Sequence, residues 1–150
     1  MSRRGKAGFT LLELLVVVSL IAVLAAVVAP MVFRNVGDAK QSAAKSQLGV
    51  IELALDAYRL DNDYYPTTEQ GLAALTSRPV SGPPARNWRG PYLKRDIAGD
   101  PWGHPYLYRS PAQSGSPDSF EVASLGRDGR QGGAGEDADL AIATPGAVPQ

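Results

Sequence analysis

The chain begins with a long run of apolar residues, and beyond it apolar residues recur at helical spacing among polar ones. Residues 9–33 read FTLLELLVVVSLIAVLAAVVAPMVF, and Glu13 is the one acidic residue in this run. At 1.5 Å per residue, a helix of this length extends about 37 Å, whereas the hydrocarbon core of a bilayer is about 30 Å thick. The run therefore predicts a membrane-spanning helix.

Beyond residue 33 the helical period continues, but only one face stays apolar. Apolar side chains recur at spacings of three and four residues, with charged residues between them. These positions are Ala44, Leu48, Ile51, Leu55 and Tyr58. The pattern predicts one helix from about Phe9 to about Leu60, and its second half should pack on a globular domain. The polar segment 61–66 (DNDYYP) is typical of a helix end.

The rest of the chain predicts short elements joined by long connections. Thr67 and Gln70 have the spacing of a reciprocal helix cap, so we expect a short helix from there through Leu75. Residues 77–91 are rich in Pro and Gly and predict a loop. Residues 106–108 and 120–124 predict strands.

These elements predict an α+β fold of the lollipop shape. A long N-terminal helix, with a membrane-spanning half and an amphipathic half, packs on a small antiparallel sheet, and the C-terminal region is rich in loops. The predicted organisation is a leader at 1–8, a transmembrane helix at 9–33 and a globular domain at 34–142. Residues 143–150 (ATPGAVPQ) predict a flexible tail.

Glu13 decides how the apolar run is interpreted. A charged side chain inside a membrane-spanning segment costs a few kcal/mol or more, so it is normally functional and has a partner. If the chain is cut after Gly8, the new α-amine of Phe9 lies four residues before Glu13, and positions i and i+4 share one helix face. The amine and the carboxylate would then pair, within one subunit or between neighbours.

Residues 1–8 (MSRRGKAG) are short and basic, and they precede this cut. An ordinary secretory signal is cleaved after its apolar stretch, whereas here the cut comes before it, so the helix stays in the mature protein. The basic residues hold the amino terminus in the cytoplasm by the positive-inside rule, which places the rest outside. A plain signal anchor with an incidental Glu13 is the alternative.

Composition narrows the functional classes. The chain has 150 residues, zero formal net charge, one His and no Cys. Zero net charge argues against nucleic-acid binding, because no basic face stands out that could hold phosphates. Without Cys there can be no thiol triad and no disulfide, and the single His104 cannot form a zinc cluster. We expect no enzymatic activity.

An acidic, glycine-rich segment lies near the carboxyl end. Residues 124–140 (SLGRDGRQGGAGEDADL) contain four acids, which are Asp128, Glu136, Asp137 and Asp139. Calcium takes six to eight oxygen ligands from carboxylates and carbonyls on a chain that can bend around it. The spacing does not match an EF-hand. The residues by themselves are compatible with a calcium site and equally with a solvated surface loop.

Four segments together resemble one family. Residues 8–13 (GFTLLE) resemble the processing signature of type IV pilins and of the pseudopilins of type II secretion systems. Residues 88–93 (WRGPYL), 100–108 (DPWGHPYLY) and 124–129 (SLGRDG) resemble segments of the major pseudopilins. The likeness extends from the glycine of the signature to about Ile142.

The resemblance implies roles for individual residues. In that family a membrane-embedded prepilin peptidase cuts after the residue that matches Gly8 and N-methylates the residue that matches Phe9. The residue that matches Glu13 pairs with a neighbour's amino terminus during assembly. One calcium ion clamps the C-terminal loop of that family. Carried over, its ligands are the carbonyl of Leu125 and the carboxylates of Asp128 and Asp139, and Glu136 or Asp137 could replace Asp139.

The function implied by the resemblance is mechanical. The subunit would polymerise with itself into a periplasmic pseudopilus that drives export of folded proteins through the outer membrane. Its partners would be minor pseudopilins, the prepilin peptidase, an inner-membrane assembly platform and the secreted proteins. Two alternatives are a type IV pilin for adhesion or motility, and a signal-anchored periplasmic binding module that does not polymerise.

Overall fold

The computed structural model describes residues 9–113 and 118–144. Within these ranges the chain forms one long helix, short 3₁₀ turns and three strands. The elements are α1 (Leu11–Asn62), 3₁₀ turns at Leu72–Leu75 and Gly135–Asp137, and strands β1 (Leu107–Arg109), β2 (Glu121–Ser124) and β3 (Leu140–Ala143). The predicted α+β class, a long N-terminal helix with a small antiparallel sheet, is confirmed. The chain divides into two compact units, Met1–Gly37 and Asp38–Gln150.

Helix α1 begins and ends two residues later in the sequence than predicted, and local hydrogen bonds and backbone conformation explain both shifts. The helix starts at Leu11 because Thr10 occupies the capping position before it, as described below. It ends at Asn62 because Asp63 adopts a left-handed backbone with φ of 69°. The Asp63 amide donates to the carbonyl of Arg59 at 2.7 Å, which satisfies one carbonyl of the last turn.

The core of the second unit lies between α1 and the sheet. The apolar face predicted from spacing is buried, because Ala44, Leu48, Ile51, Leu55 and Tyr58 all lie in the interior. Except for Ala44, these side chains share one cluster with Phe120 and Val122 near the start of β2, and with Leu75. Burial of apolar surface of this kind contributes about 25 cal/mol per Å².

The sheet is antiparallel throughout, in the order β1-β2-β3. Tyr108 of β1 pairs with Val122 of β2, which pairs in turn with Ile142 of β3. Side chains alternate between the two faces of a strand, so this row lies on one face, and Val122 is fully buried there.

The third strand corrects the sequence interpretation. Residues 140–142 were expected to belong to the loop-rich end of the domain, and residue 143 to a flexible tail, yet Leu140–Ala143 forms β3. Thr144 also belongs to the folded part, because its amide donates to the carbonyl of Phe120 at 3.1 Å and its Oγ1 accepts from the amide of Phe120 at 3.0 Å. The remaining predicted tail, 145–150, lies outside the described residues.

The predicted helix from Thr67 to Leu75 forms only in part, because residues 68–71 form a turn and only Leu72–Leu75 is helical. The reciprocal cap is present, since the Thr67 amide donates to Oε1 of Gln70 at 3.0 Å and the Gln70 amide donates to Oγ1 of Thr67 at 3.3 Å. Gly71 then adopts φ of 60°, which interrupts the helical backbone. The chain continues as a 3₁₀ turn at Leu72–Leu75, so the prediction of one continuous helix was wrong.

Candidate functional site

The start of α1 carries a reciprocal cap between Thr10 and Glu13. The Thr10 amide and hydroxyl both donate to Oε2 of Glu13, at 2.9 and 3.0 Å, and the Glu13 amide donates to the Thr10 hydroxyl at 3.2 Å. A Thr followed three residues later by a Glu is the sequence pattern of this capping box. It satisfies backbone N–H groups that have no partner inside the helix.

This cap gives Glu13 a local partner that the sequence reasoning missed, although the T-x-x-E pattern could have predicted it. Phe9 lies two residues before the helix begins and is 84% exposed. Phe9 therefore does not share a helix face with Glu13 in the unprocessed chain. Gly8, the predicted cleavage residue, lies outside the described residues.

The first part of α1 has the surface of a membrane segment. Every large apolar side chain described from Leu11 to Val36 is exposed, and the charged side chains on this stretch are Glu13 and Arg34. Among the described residues, α1 is the helix whose length and composition would allow it to cross a membrane. A continuous apolar surface of this kind requires lipid or other helices around it.

The acidic loop folds back so that its two ends meet. Gly126 adopts φ of 67°, and a Cβ atom there would lie 2.8–2.9 Å from backbone atoms of Asp137 and Ala138. Only glycine permits both that conformation and that approach. The Arg127 amide donates to the carbonyl of Glu136 at 2.9 Å. The turn at Leu125–Asp128 therefore lies directly against the strand entry at 137–139.

Arg127 pairs with two of the acids that were candidate calcium ligands. Its Nε and Nη2 donate to the two carboxylate oxygens of Asp137 at 2.9 and 3.1 Å, and its Nη1 lies 3.7 Å from Oε1 of Glu136. The hydrogen bond to Asp137, followed by the negative charges of Asp137 and Glu136, raises the pKa of Arg127. Both acids are thus engaged by a cation that the chain itself provides.

Asp139 has a different environment. Its Oδ2 accepts from the Gly132 amide at 2.9 Å, while its Oδ1 is buried and has no hydrogen-bond partner. A buried carboxylate oxygen without a donor is costly, so this atom is the one in the loop that a cation would satisfy. Asp128 is exposed, and its Oδ1 accepts from the Arg130 amide at 3.0 Å.

The predicted calcium ligands are a mixed set rather than a cluster of acids. Across residues 9–113 and 118–144, no three His, Cys, Asp or Glu side chains group in a way that could hold a metal ion. The predicted set of Leu125, Asp128 and Asp139 combines one carbonyl with two carboxylates, so it does not require such a group. Calcium accepts backbone carbonyls and water beside carboxylates.

His104 contacts the acidic loop through its ring. Its Nε2 lies 3.1 Å from the carbonyl of Arg127, and its ring packs on Gly129, where a Cβ atom would lie 2.9 Å from Cε1. The backbone around His104 is fixed by Asp100, whose Oδ1 accepts from the amides of Trp102 and His104 at 3.0 and 2.9 Å. Residues 100–105 (DPWGHP) therefore contact the acidic loop through the ring of His104.

Comparison with known proteins agrees with this architecture. Residues 31–143 match the family "Type II secretion system (T2SS), protein G", and residues 3–29 match the prokaryotic N-terminal methylation motif. The type II secretion system core protein G of Pseudomonas aeruginosa is 45% identical over 141 residues, covering 93% of this chain and 96% of the relative. The core protein G of Vibrio cholerae is 46% identical over 138 residues, covering 91% of each.

A solved structure is similar as well. The crystal structure of the major pseudopilin from the type 2 secretion system of enterohaemorrhagic Escherichia coli matches with a TM-score of 0.58 and 42% sequence identity. The match covers 71% of this chain and 89% of that chain. The family match spans well over half of the sequence, and the two core protein G relatives cover 93% and 91% of it. The chain therefore belongs to the type II secretion system protein G family.

Proposed function

We propose that this protein is the structural subunit that polymerises into the periplasmic pseudopilus of a type II secretion system. Growth of that fibre drives folded proteins through the outer membrane. The observation that carries the proposal is the 45% identity to a core protein G along 93% of the chain. The long helix with an apolar first part and a small α+β unit supports it. The role is mechanical, and the relatives are structural subunits rather than enzymes.

The proposed location follows from charge and hydropathy. The basic leader at 1–8 stays in the cytoplasm, α1 crosses the inner membrane once, and residues from 34 onward lie in the periplasm. The partners proposed are further copies of the chain, minor pseudopilins, the assembly platform, the prepilin peptidase and the secreted proteins. A surface pilin and a non-polymerising binding module are not favoured, because the relatives reported above are named core protein G.

The function is tested by deleting the gene and locating the exported proteins. We expect enzymes that the wild type releases to accumulate in the periplasm, and a plasmid copy of the chain to restore release. Unchanged release together with lost adhesion or motility would identify a surface pilin instead.

Processing after Gly8 and N-methylation of Phe9 are proposed from the match to the methylation motif. The mature protein should begin with N-methyl-Phe9 in mass spectrometry. Replacing Gly8 by a bulkier residue should leave the leader attached, because a side chain there blocks approach of the peptidase. A wild-type protein that begins at Met1, or that is cut beyond residue 20, contradicts this assignment.

We propose that Glu13 pairs with the amino terminus of a neighbouring subunit during assembly. The capping box supports this role, because Thr10 already fixes the Glu13 carboxylate at the start of the helix before a neighbour binds. A carboxylate that is already fixed in position loses less side-chain entropy when it pairs with the neighbour's amine.

We also propose that calcium binds the acidic loop through Leu125, Asp128 and Asp139. The unpartnered Oδ1 of Asp139 supports this set, and the pairing of Glu136 and Asp137 with Arg127 argues against their use as ligands. Bound calcium would join the turn after β2 to the entry of β3. A domain without Cys gains from such a link, since disulfides are not available to it.

Melting of the full chain in detergent micelles tests the calcium site. Binding to the folded state alone stabilises it by roughly 2.7 kcal/mol when calcium is at a hundred times its Kd. Tryptophan fluorescence should report a Tm higher by about ten degrees in calcium than in chelator, with little effect of magnesium, which gives up its waters reluctantly. Asp139→Asn should lose most of this response. A wild-type Tm that calcium leaves unchanged contradicts the site.

A further inference from the structure

The two parts of the proposed calcium site are far apart in the loop sequence, and one side chain joins them. Leu125 and Asp128 precede the glycine-rich stretch, whereas Asp139 follows it. Arg127, which lies between Leu125 and Asp128, reaches across to the residues just before Asp139. Its backbone amide donates to the Glu136 carbonyl at 2.9 Å, and its guanidinium binds both carboxylate oxygens of Asp137.

The arrangement is directional as well as close. A guanidinium that donates two parallel bonds to one carboxylate fixes both position and orientation of its partner. Arg127 is adjacent to Asp128, and Asp137 is two residues before Asp139. Fixing Asp137 on Arg127 therefore limits where Asp139 can lie relative to Asp128. Gly126, whose backbone packs on that of Asp137, makes this approach possible.

We propose that Arg127 is a positioning residue that assembles the calcium loop before calcium binds. The inference rests on the calcium site proposed above. Arg127 holds Glu136 and Asp137 as its own ion-pair partners, so they do not enter the coordination sphere, and Asp139 is the late acid left for the ion. The ordering of the loop is then achieved by the ion pair and does not have to be supplied by calcium binding.

A simpler electrostatic effect makes the opposite prediction, which allows a sharp test. If Arg127 acted only through its charge, it would repel the cation, and its removal would strengthen binding. If Arg127 positions the loop, its removal weakens binding although a positive charge is lost. Removal of its partner by Asp137→Asn should weaken binding too, as the loss of a negative charge near the ion also would. The double variant separates the two effects: purely electrostatic changes would cancel in it, whereas under the positioning role it should bind about as weakly as either single variant.

Arg130 provides a matched control. It lies in the same loop, is exposed, and makes no ion pair with any residue in 9–113 or 118–144. Arg130→Ala removes the same charge without removing a link between the two parts of the site. Any change in calcium affinity that is purely electrostatic should therefore occur in both arginine variants.

The experiment is calorimetric titration of calcium into the full chain in detergent micelles, with Tm and limited proteolysis measured in chelator. The Arg127 and Asp137 side chains are 56% and 31% exposed, and ion pairs near the surface are weak because water screens them. We therefore expect Arg127→Ala and Asp137→Asn each to weaken calcium binding by about twofold to fivefold. In chelator, Arg127→Ala should be cut faster than wild type between residues 127 and 137. Arg127→Lys should be intermediate, because an ammonium cannot make the paired bonds.

Each outcome has one meaning. Wild type that binds calcium, with Arg127→Ala binding equally well or more tightly, overturns the positioning role and leaves the calcium site intact. Equal weakening by Arg127→Ala and Arg130→Ala also overturns it, because the effect would not be specific to the link. Wild type that takes up no calcium removes the site itself, and the positioning role with it.

Discussion

The Asp100 carboxylate accepts a 2.6 Å hydrogen bond from the Ser124 hydroxyl, and both residues are buried. The Gly126 amide donates to the same hydroxyl at 3.3 Å. Ser124 therefore connects the DPWGHP segment, which Asp100 organises, to the turn that opens the acidic loop. The motifs DPWGHPYLY and SLGRDG, which lie far apart in the sequence, meet at this bond.

Loss of the Ser124 hydroxyl should destabilise the domain. Ser124→Ala leaves a buried carboxylate oxygen and a backbone amide without their partner, at a cost of about 1–3 kcal/mol. The Tm should fall by about 4–8 °C for each kcal/mol in a domain of this size. Ser81→Ala, at an exposed serine, is the control and should melt like wild type. Equal melting of the two variants would show that the Asp100–Ser124 bond contributes little.

Glu13 can be tested with two substitutions that separate its roles. Glu13→Gln keeps a side chain that can complete the capping box with Thr10 but removes the charge, whereas Glu13→Ala removes both. If the charge recruits the next subunit, both variants should be cleaved normally and both should lose most fibre formation and secretion. Fibre yield is measured by shearing and immunoblotting. Normal fibres from Glu13→Gln but not from Glu13→Ala would assign the effect to the cap.

Asp63 should be a site where glycine stabilises the protein. Its φ of 69° is a left-handed conformation that costs a residue with a side chain about 1–2 kcal/mol. Glycine does not pay this steric cost, but it loses more conformational entropy on folding, so only part of the cost is recovered. We expect Asp63→Gly to raise the free energy of unfolding by about 0.5–1 kcal/mol. Asp63→Val, which introduces a β-branched side chain at this positive φ, should lower the free energy of unfolding. Chemical denaturation measures both, and a destabilised glycine variant would contradict this account of the helix end.

Alkaline pH should destabilise the folded domain. Burial is the largest cause that raises the pKa of five tyrosines, and it raises the pKa of Tyr106 to about 12. The five are Tyr58, Tyr65, Tyr92, Tyr106 and Tyr108. A tyrosine in the unfolded chain ionises near pH 10, so above that pH the unfolded state binds fewer protons than the folded state.

The resulting contribution to stability is constant below about pH 9 and falls as pH rises from 10 towards 12. Denaturant unfolding between pH 8 and 11 measures this slope. Tyr106→Phe should reduce the slope, whatever it does to stability at neutral pH through loss of the bond to Gln47. A slope that stays at zero up to pH 11 would contradict the burial of these hydroxyls.

Periodicity and local caps explain why the sequence predicted the helical parts well. The spacing of Leu48, Ile51 and Leu55 identified the buried face of α1, because side chains three and four residues apart lie on one side of a helix. The Thr67–Gln70 cap was also predicted correctly, since both partners lie within one turn. The interruption of the helix at Gly71 was not predicted, because the positive φ of this residue depends on how the chain continues beyond the cap.

A long helix with an apolar first part, its buried face, an antiparallel sheet beside it and the family resemblance were all predicted from the sequence. Tertiary structure decided the third strand, because Leu140–Ala143 is short and gains its hydrogen bonds only from pairing with β2. It also decided which acids of the loop are paired. Arg127 and Asp137 meet only because the chain turns back at Gly126, and the same turn leaves one oxygen of Asp139 without a partner. Contacts between residues ten or more positions apart are fixed by the path of the backbone, and no local period in the sequence encodes that path.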